Sequence, residues 1–227
     1  MNPLCSIAID GPAGAGKSTI AKIVANKLGF EYVDTGAMYR AYTLKVICNN
    51  LDPKNSSDVL SILNDTNIDF IDNHIYLDNE IVDEEIRSNS ISKQVSYIAS
   101  IKEVRSKMVE IQQEISKRRS VVMDGRDITT VVLPNANYKF YVTASVEERG
   151  RRRFLELQSK GIKDITLDEV IADIATRDEI DSNRVESPLR KTEDSILVDT
   201  TNLNIEESVD RIISIVKEGK LDCSTQW

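Results

Sequence analysis

A glycine-rich motif near the start of the chain constrains the fold more than any other feature. A β-branched apolar run over residues 6–10 precedes it, and apolar residues at helical spacing follow it. The motif therefore lies between a buried strand and a helix N-terminus, where a phosphate-binding loop (P-loop) occurs. It has the form G-x-x-x-x-G-K-[ST] and reads Gly11-Pro12-Ala13-Gly14-Ala15-Gly16-Lys17-Ser18.

The residue types in this motif suit the binding of a nucleoside triphosphate. Glycines let the backbone turn sharply toward an anion, and the helix start adds unpaired N–H donors. Lys17 can reach the outer phosphates, and the Ser18 hydroxyl can ligate Mg²⁺. A dinucleotide-binding loop is excluded, because Thr19 stands where G-x-G-x-x-G requires a third glycine. We expect ATP to bind Gly11, Pro12, Ala13, Gly14, Ala15, Gly16, Lys17, Ser18 and Thr19.

Length and charge limit the classes of partner. The chain has 227 residues, enough for one large α/β domain, and a formal net charge of −8. This charge argues against non-specific binding to nucleic acid or to anionic membranes. The three cysteines are far apart and fit no metal site or closed disulfide framework. With no signal peptide and no run of transmembrane length, we expect a cytoplasmic monomer that acts on small molecules.

Predicted strands and helices alternate along the chain, which is typical of a parallel, doubly wound sheet. We expect an α/β fold of the P-loop NTPase type, with a five-stranded parallel sheet flanked by helices. Between residues 67 and 82 the period changes to strict alternation, with turns at Asp72-Asn73 and Asp78-Asn79, which indicates a small antiparallel insert. The strands of the main sheet are expected at residues 6–10, 30–33, 121–123, 139–143 and 196–199.

One carboxylate is placed to assist a metal ion. Asp124 follows the buried apolar run 121–123, and strand ends of this kind lie at the ligand-binding edge of a parallel sheet. We predict that Ser18 binds Mg²⁺ directly and that Asp124 interacts with the ligands of the metal. The alternative is a turn-forming aspartate before Gly125.

Arginines cluster on a predicted helix that begins after a capping box at Ser145. Phosphoryl transfer needs positioning, Mg²⁺ and cations around the transferred group. Arg149, Arg152 and Arg153 share one helix face, so they could close over that group as a mobile lid. The alternative is a solvent-facing helix with ion pairs between its own residues.

A second charged face lies on the next predicted helix. Arg177, Asp181 and Arg184 follow one another at i, i+4 and i+7. Two arginines around one carboxylate suit a phosphate and a ribose hydroxyl, although such pairs also stabilise any surface helix.

These motifs together resemble those of the bacterial cytidylate kinases, within the P-loop nucleoside monophosphate kinases. The likeness rests on the P-loop, the run Asp34-Thr35-Gly36-Ala37-Met38-Tyr39-Arg40, the run Asp124-Gly125-Arg126-Asp127 and the block 177–184, in this order. Many enzymes share the P-loop alone, whereas the combination is far more specific. The resemblance covers nearly the full chain. It implies a single kinase domain with a CMP-binding insert at about 64–91 and a lid at about 149–161.

The resemblance also implies roles for the matching residues. Ser96, Arg105 and Asp127 would bind the cytosine edge. Catalysis would depend on Lys17, Arg126, Arg152 and Arg153. The acceptor CMP would bind Thr35, Arg40, Ser96, Arg105, Arg126, Asp127, Arg177, Asp181 and Arg184.

The reaction that this resemblance implies is transfer of the γ-phosphoryl group of ATP, with Mg²⁺, to CMP or dCMP. Two alternatives stay open: a small P-loop kinase for another acceptor, such as UMP or shikimate, and a nucleotide-dependent regulatory switch. A GTPase switch would need an N-K-x-D element, and the one Asn-Lys pair, Asn26-Lys27, is followed by Leu28-Gly29.

Overall fold

Strands and helices alternate along most of the chain. The computed structural model describes residues 4–71, 74–162 and 164–219, apart from the side chain of Asn89. The elements in chain order are β1 (Ser6–Asp10), α1 (Lys17–Leu28), β2 (Glu31–Asp34), α2 (Thr35–Cys48), α3 (Ser56–Ser61), β3 (Ile68–Ile71), β4 (His74–Leu77), β5 (Glu80–Ile81), α4 (Asn89–Ser100), α5 (Lys102–Ser116), β6 (Val121–Gly125), β7 (Tyr138–Thr143), α6 (Val146–Ser159), α7 (Leu167–Asn183), β8 (Ile196–Asp199) and α8 (Ile205–Glu218).

The main sheet has five parallel strands in the order β2-β6-β1-β7-β8, which confirms the predicted fold class. The register pairs Asp34 with Asp124 and Asp10 with Gly125. The P-loop and the two motifs that follow β2 and β6 therefore meet at one edge of the sheet. This carboxyl edge is where α/β sheets bind their ligands.

The two faces of the sheet pack against different helices. Along β1, Ile7 and Ile9 point into a core shared with α1 and α8, while Ala8 points into a core shared with α2 and α5. Alternate residues of a strand face opposite sides, so a strand buried on both faces is apolar throughout. The central sheet therefore holds the strand ends of the site rigidly.

The predicted insert forms an antiparallel sheet of β3, β4 and β5. Its second turn uses Asp78 and Asn79, whose φ angles of 51° and 72° are left-handed, as a tight hairpin requires. The first predicted turn, Asp72-Asn73, lies outside the described residues, as does Cys223. Phe70 and the other inward side chains join the core around α2, so the insert is packed onto the helix that begins at the site.

Helices α6 and α7 form an antiparallel hairpin beside the P-loop. Thr166 forms a capping box. Ser145 accepts from the Glu148 amide, but the predicted capping box is incomplete there, because the Glu148 carboxylate binds Arg151 and Arg152 instead. A Cβ atom on Gly150 would lie 2.3 Å from Ile171 Cγ1, so only glycine permits this close approach of the two helices. The hairpin has a small apolar cluster of its own.

Two elements near the site were not predicted. Helix α4 carries Ser96 and is capped by the Ser88 side chain, and its buried Ile91, Val95 and Ile98 have helical spacing. A π-helical turn over Ile128–Val132 follows β6. Within the described ranges, none of the helices combines the length and apolar composition that a membrane crossing requires.

Candidate active site

The P-loop connects β1 to α1 in a conformation that depends on glycine. Gly11 has a φ angle of 151°, and a Cβ atom there would lie 1.9 Å from the Val142 carbonyl oxygen. Gly16, with a φ angle of 84°, caps the N-terminus of α1. Unpaired N–H groups of the helix start therefore face the space above the loop.

Lys17 lies over this loop and is almost completely buried, with 5% of its surface exposed. Its Nζ atom donates to the Pro12 carbonyl oxygen at 2.8 Å. Burial, together with the nearby charge of Arg126, lowers the pKa of Lys17 to about 7. An anionic ligand would favour its charged form, because an opposite charge raises the pKa of an amine.

Asp124 is fixed at the end of β6 by two hydroxyl groups. Ser18 Oγ donates to one carboxylate oxygen, and Tyr32 Oη donates to the other, both at 2.8 Å. Burial and the neighbouring Asp34 raise the pKa of Asp124 to about 6. Over the part of the chain that the structure describes, no three Asp, Glu, His or Cys side chains come together as a metal site.

The predicted acceptor residues lie together in one open cleft, which we call the acceptor cleft. Its walls come from the start of α2, from α4 and α5, from the segment after β6, and from the end of α7. It is lined by Thr35, Gly36, Tyr39, Arg40, Val95, Ser96, Ala99, Arg105, Gly125, Arg126, Asp127, Arg177, Asp181 and Arg184.

Positive charge predominates in the acceptor cleft, where five arginines face two aspartates. Arg126 Nε donates to Asp181 at 2.7 Å, and Arg105 pairs with Asp127. Arg177 remains without a carboxylate at hydrogen-bond distance among the described residues, and its Nε is buried with no hydrogen-bond partner there. Burial and the charge of Arg126 lower the pKa of Arg177 to about 10. A buried, incompletely bonded guanidinium of this kind favours an anionic ligand.

The three arginines of the predicted lid have different surroundings. Arg152 donates to the Thr200 carbonyl oxygen at 2.6 Å and pairs with Glu148, while Arg153 pairs with Glu156 at 2.7 Å. Arg149 is buried against the P-loop and donates to its backbone. Arg152 and Arg153 thus form the ion pairs within the helix that the alternative to a lid predicts. Arg149 is instead a fixed, internal residue.

Comparison with known proteins identifies the family. The cytidylate kinase family model matches residues 7–218. The chain belongs to the cytidylate kinase family. It is 54% identical over 211 residues to a cytidylate kinase of Alkaliphilus oremlandii, covering 93% of this chain and 97% of that one. It is 55% identical over 208 residues to a cytidylate kinase of Clostridioides difficile, covering 92% and 96%.

Solved structures show the same fold at low identity. A gluconokinase of Sinorhizobium meliloti has a TM-score of 0.51 and 13% identity, covering 96% of this chain and 94% of that chain. An uncharacterised protein of Eubacterium ventriosum has a TM-score of 0.55 and 12% identity, with coverages of 95% and 99%. The cytidylate kinase resemblance predicted from the motifs is confirmed, and the individual residue roles stay predictions.

Several residues of this cytidylate kinase family site were not predicted as functional. Asp34 holds the Arg40 guanidinium at 2.9 Å, and the Tyr39 ring lies 5.7 Å from the Arg105 guanidinium carbon. Asp178 accepts a hydrogen bond from the P-loop backbone. Asp34 and Tyr39 belong to the motif after β2 and were available from the sequence. Asp178 has no sequence pattern of its own, because it is one of several charged residues in the block 177–184.

Proposed function

We propose that this member of the cytidylate kinase family transfers the γ-phosphoryl group of ATP to CMP or dCMP, giving ADP and CDP or dCDP. The observation that carries the proposal is the acceptor cleft, which gathers all the predicted acceptor residues around a surplus of arginine. The cleft is close to the P-loop: its residues Arg126 and Arg177 lie near enough to Lys17 for their positive charges to lower the pKa of that lysine. Donor and acceptor phosphates would therefore meet between these cations.

The reaction needs no general base from the protein. An oxygen of the ionised acceptor phosphate forms a bond to the γ-phosphorus, and the bond from that phosphorus to the bridging oxygen of ADP breaks. Both reactants are anions, so their mutual repulsion and the charge of the transferred group must be offset by fixed cations. Lys17 would serve the donor side and Arg126 the acceptor phosphate.

Arg177 is suited to the centre of the reaction, since it is half-buried and its buried Nε has no hydrogen-bond partner among the described residues. An acceptor phosphate beside it would supply charge-assisted hydrogen bonds that the described residues do not provide. Arg152 and Arg153 would act on the transferred group after the lid closes, which requires exchange of their present partners Glu148 and Glu156.

The residues present fit a magnesium ion that is shared with the donor. Mg²⁺ is usually held by one or two protein groups together with substrate phosphates, and it keeps several waters. Ser18 would be its direct ligand, and Asp124, fixed by Ser18 and Tyr32, would bind the waters around it. The chemistry that a bound Mg²⁺ would supply here is neutralisation of negative charge on the donor phosphates.

Base choice would depend on Asp127, Arg105 and Ser96, which all line the cleft, and of which Asp127 and Arg105 form an ion pair. Cytosine presents an exocyclic amine that donates, beside a ring nitrogen and a carbonyl group that accept. Asp127 would accept from the amine, while Arg105 and Ser96 would donate to the other two groups. Uracil has a carbonyl group in place of the amine and would leave Asp127 without a donor.

A panel of acceptors tests the proposal. ADP release would be measured with CMP, dCMP, UMP, AMP, shikimate and no acceptor, and the phosphorylated product would be identified. We expect turnover with CMP or dCMP far above all others. Best turnover with shikimate or UMP would favour the alternative kinases, and acceptor-independent hydrolysis would favour a switch.

Two lysine variants serve as controls for this panel of acceptors. Lys17→Ala should be inactive with every acceptor, and Lys22→Ala, which changes an exposed residue of the same helix, should behave like the parent.

The proposal also includes a monomeric, cytoplasmic enzyme that uses only small-molecule substrates. A measurement of its mass in solution would test whether it is a monomer.

A further inference from the structure

Two consecutive peptide groups of the P-loop are held by an ion pair from the α6–α7 hairpin. The Ala13 amide donates to Asp178 Oδ1 at 2.9 Å. The carbonyl oxygen of Ala13 accepts from Arg149 Nη1, also at 2.9 Å. Arg149 and Asp178 pair with each other, and Arg149 Nε donates to the Ala144 carbonyl oxygen. Both backbone polar groups of one loop residue are therefore fixed by charged side chains.

The first of these peptide groups also binds the P-loop lysine. The Ala13 amide and the Pro12 carbonyl belong to the same planar peptide. That carbonyl oxygen accepts from Lys17 Nζ at 2.8 Å. Asp178 and Lys17 thus bind opposite ends of one peptide dipole, and the orientation of this peptide determines where the Lys17 ammonium group is held.

Packing gives the hairpin a second contact with the loop. A Cβ atom on Gly14 would lie 3.1 Å from Arg149 Cβ and 3.4 Å from Ile174 Cδ1, so the loop backbone rests directly on α6 and α7. Arg149 has 7% of its surface exposed, so its charge is well shielded from water. A movement of the hairpin would therefore move the loop backbone with it.

We propose that Asp178 and Arg149 are positioning residues, which act through the Pro12–Ala13 peptide to set the donor loop and Lys17 for ATP. Neither residue needs to touch a substrate for this role. The inference rests on the proposed kinase function, although its first readout is the binding of ATP, which does not depend on the identity of the acceptor.

The test compares ATP and CMP binding in matched variants of the full chain. Asp178→Asn keeps the size of the side chain and can still accept from the Ala13 amide, but it loses the charge. Since a hydrogen bond to a charged group exceeds a neutral one by about 1.4 kcal/mol, we expect the Kd for ATP to rise about tenfold. Asp178→Ala should raise it about 10- to 150-fold. CMP affinity should change much less than ATP affinity, since Asp178 does not line the acceptor cleft and acts on Arg126 and Arg177 only through its charge.

A double variant tests whether the two residues act together. If they form one unit, Arg149→Lys combined with Asp178→Asn should weaken ATP binding no more than the worse single variant, because interacting residues are not additive. Asp173→Asn, on the exposed surface of α7, is the matched control and should leave ATP binding unchanged. In Asp178→Glu, which restores the carboxylate, we expect partial recovery of ATP affinity and of kcat.

Three results would overturn the inference. One is an unchanged Kd for ATP in Asp178→Asn and Asp178→Ala. Another is an equal loss of ATP and CMP affinity together with a lower melting temperature, which would make the pair merely structural. The last is additivity of the two single variants. If the parent binds ATP but does not phosphorylate CMP, the proposed function fails and the inference about the loop is still decided by these measurements.

Discussion

Replacing Asp127 by asparagine should sharply lower the preference of the enzyme for CMP over UMP. Asp127 has 6% of its surface exposed and lies in the wall of the acceptor cleft. Its carboxylate pairs with Arg105. Arg126 instead pairs with Asp181, so an indirect role for Asp127, as the residue that orients Arg126, finds no support in the contacts of the described residues.

The size of the effect follows from the contacts on either side of Asp127. In Asp127→Asn the amide oxygen can still accept from Arg105. The NH₂ group then replaces the oxygen that lies 3.8 Å from Arg184 Nη2 and that we expect to accept from cytosine. Cytosine then presents a donor to a donor and loses a hydrogen bond to a charged group, worth roughly 1.5–3 kcal/mol. This corresponds to a loss of about 10- to 150-fold in kcat/KM for CMP. Uracil gains an acceptor-to-donor match and should improve.

Asparagine is a better test than alanine at this position. Arg105 has 4% of its surface exposed, and Asp127→Ala would leave its buried guanidinium without a carboxylate. Breaking a buried ion pair costs about 3–5 kcal/mol. Such a loss would lower the free energy of unfolding and weaken both acceptors, which would hide the change in base preference.

The assay is kcat/KM for CMP and UMP on the parent, on Asp127→Asn and on Asp173→Asn as the exposed control, with the melting temperature of each. In Asp127→Asn, and not in the control, we expect the ratio of kcat/KM for CMP to kcat/KM for UMP to fall by at least the loss of about 10- to 150-fold for CMP. A parallel fall for both acceptors at unchanged stability, or an unaltered ratio, would remove Asp127 from base recognition.

Three further predictions follow from the site. Lys17→Ala should lower turnover by orders of magnitude with little change in melting temperature, because among the described residues the Lys17 ammonium group donates to a carbonyl oxygen of its own motif and joins no distant element; unfolding of the variant would contradict a catalytic role. Tyr32→Phe removes one of the two hydroxyls that fix Asp124, so half-maximal activity should need several-fold more Mg²⁺, and an unchanged Mg²⁺ titration would count against this role. The substrates should induce closure of residues 64–91 and 149–161, which excludes water. A bisubstrate mimic should therefore slow hydrogen exchange in both segments. Equal exchange with and without the mimic would refute closure.

The sequence predicts the parts of this structure whose signals are local. Buried strands, the N-caps at Ser145 and Thr166, and the left-handed turn at Asp78-Asn79 depend on residues a few positions apart. The motifs after β2 and β6 also have fixed places, because parallel strands bring their carboxyl ends to one edge. The family resemblance supplied the remaining acceptor residues, such as Ser96, on a helix that was not predicted.

Side-chain partners across the fold could not be predicted in the same way. Arg149, Arg152 and Arg153 share a helix face in the sequence pattern, yet only Arg149 is buried against the P-loop. This difference depends on how α6 is placed against a loop more than a hundred residues away. The pairing of Arg126 with Asp181 likewise arises from two distant segments.

The small apolar cluster of the α6–α7 hairpin has a consequence for inactivation by heat. Only Leu157, Val170 and Ile174 form its buried centre among the described residues, while the two cores of the sheet are much larger. Regions with few buried apolar contacts open at a lower free energy than the rest of a protein. Since α7 carries both Arg177 and Asp178, opening of the hairpin would disable the acceptor and donor sites in one event. The upper working temperature of the enzyme would then be set by this hairpin, and activity would disappear while the sheet is still folded.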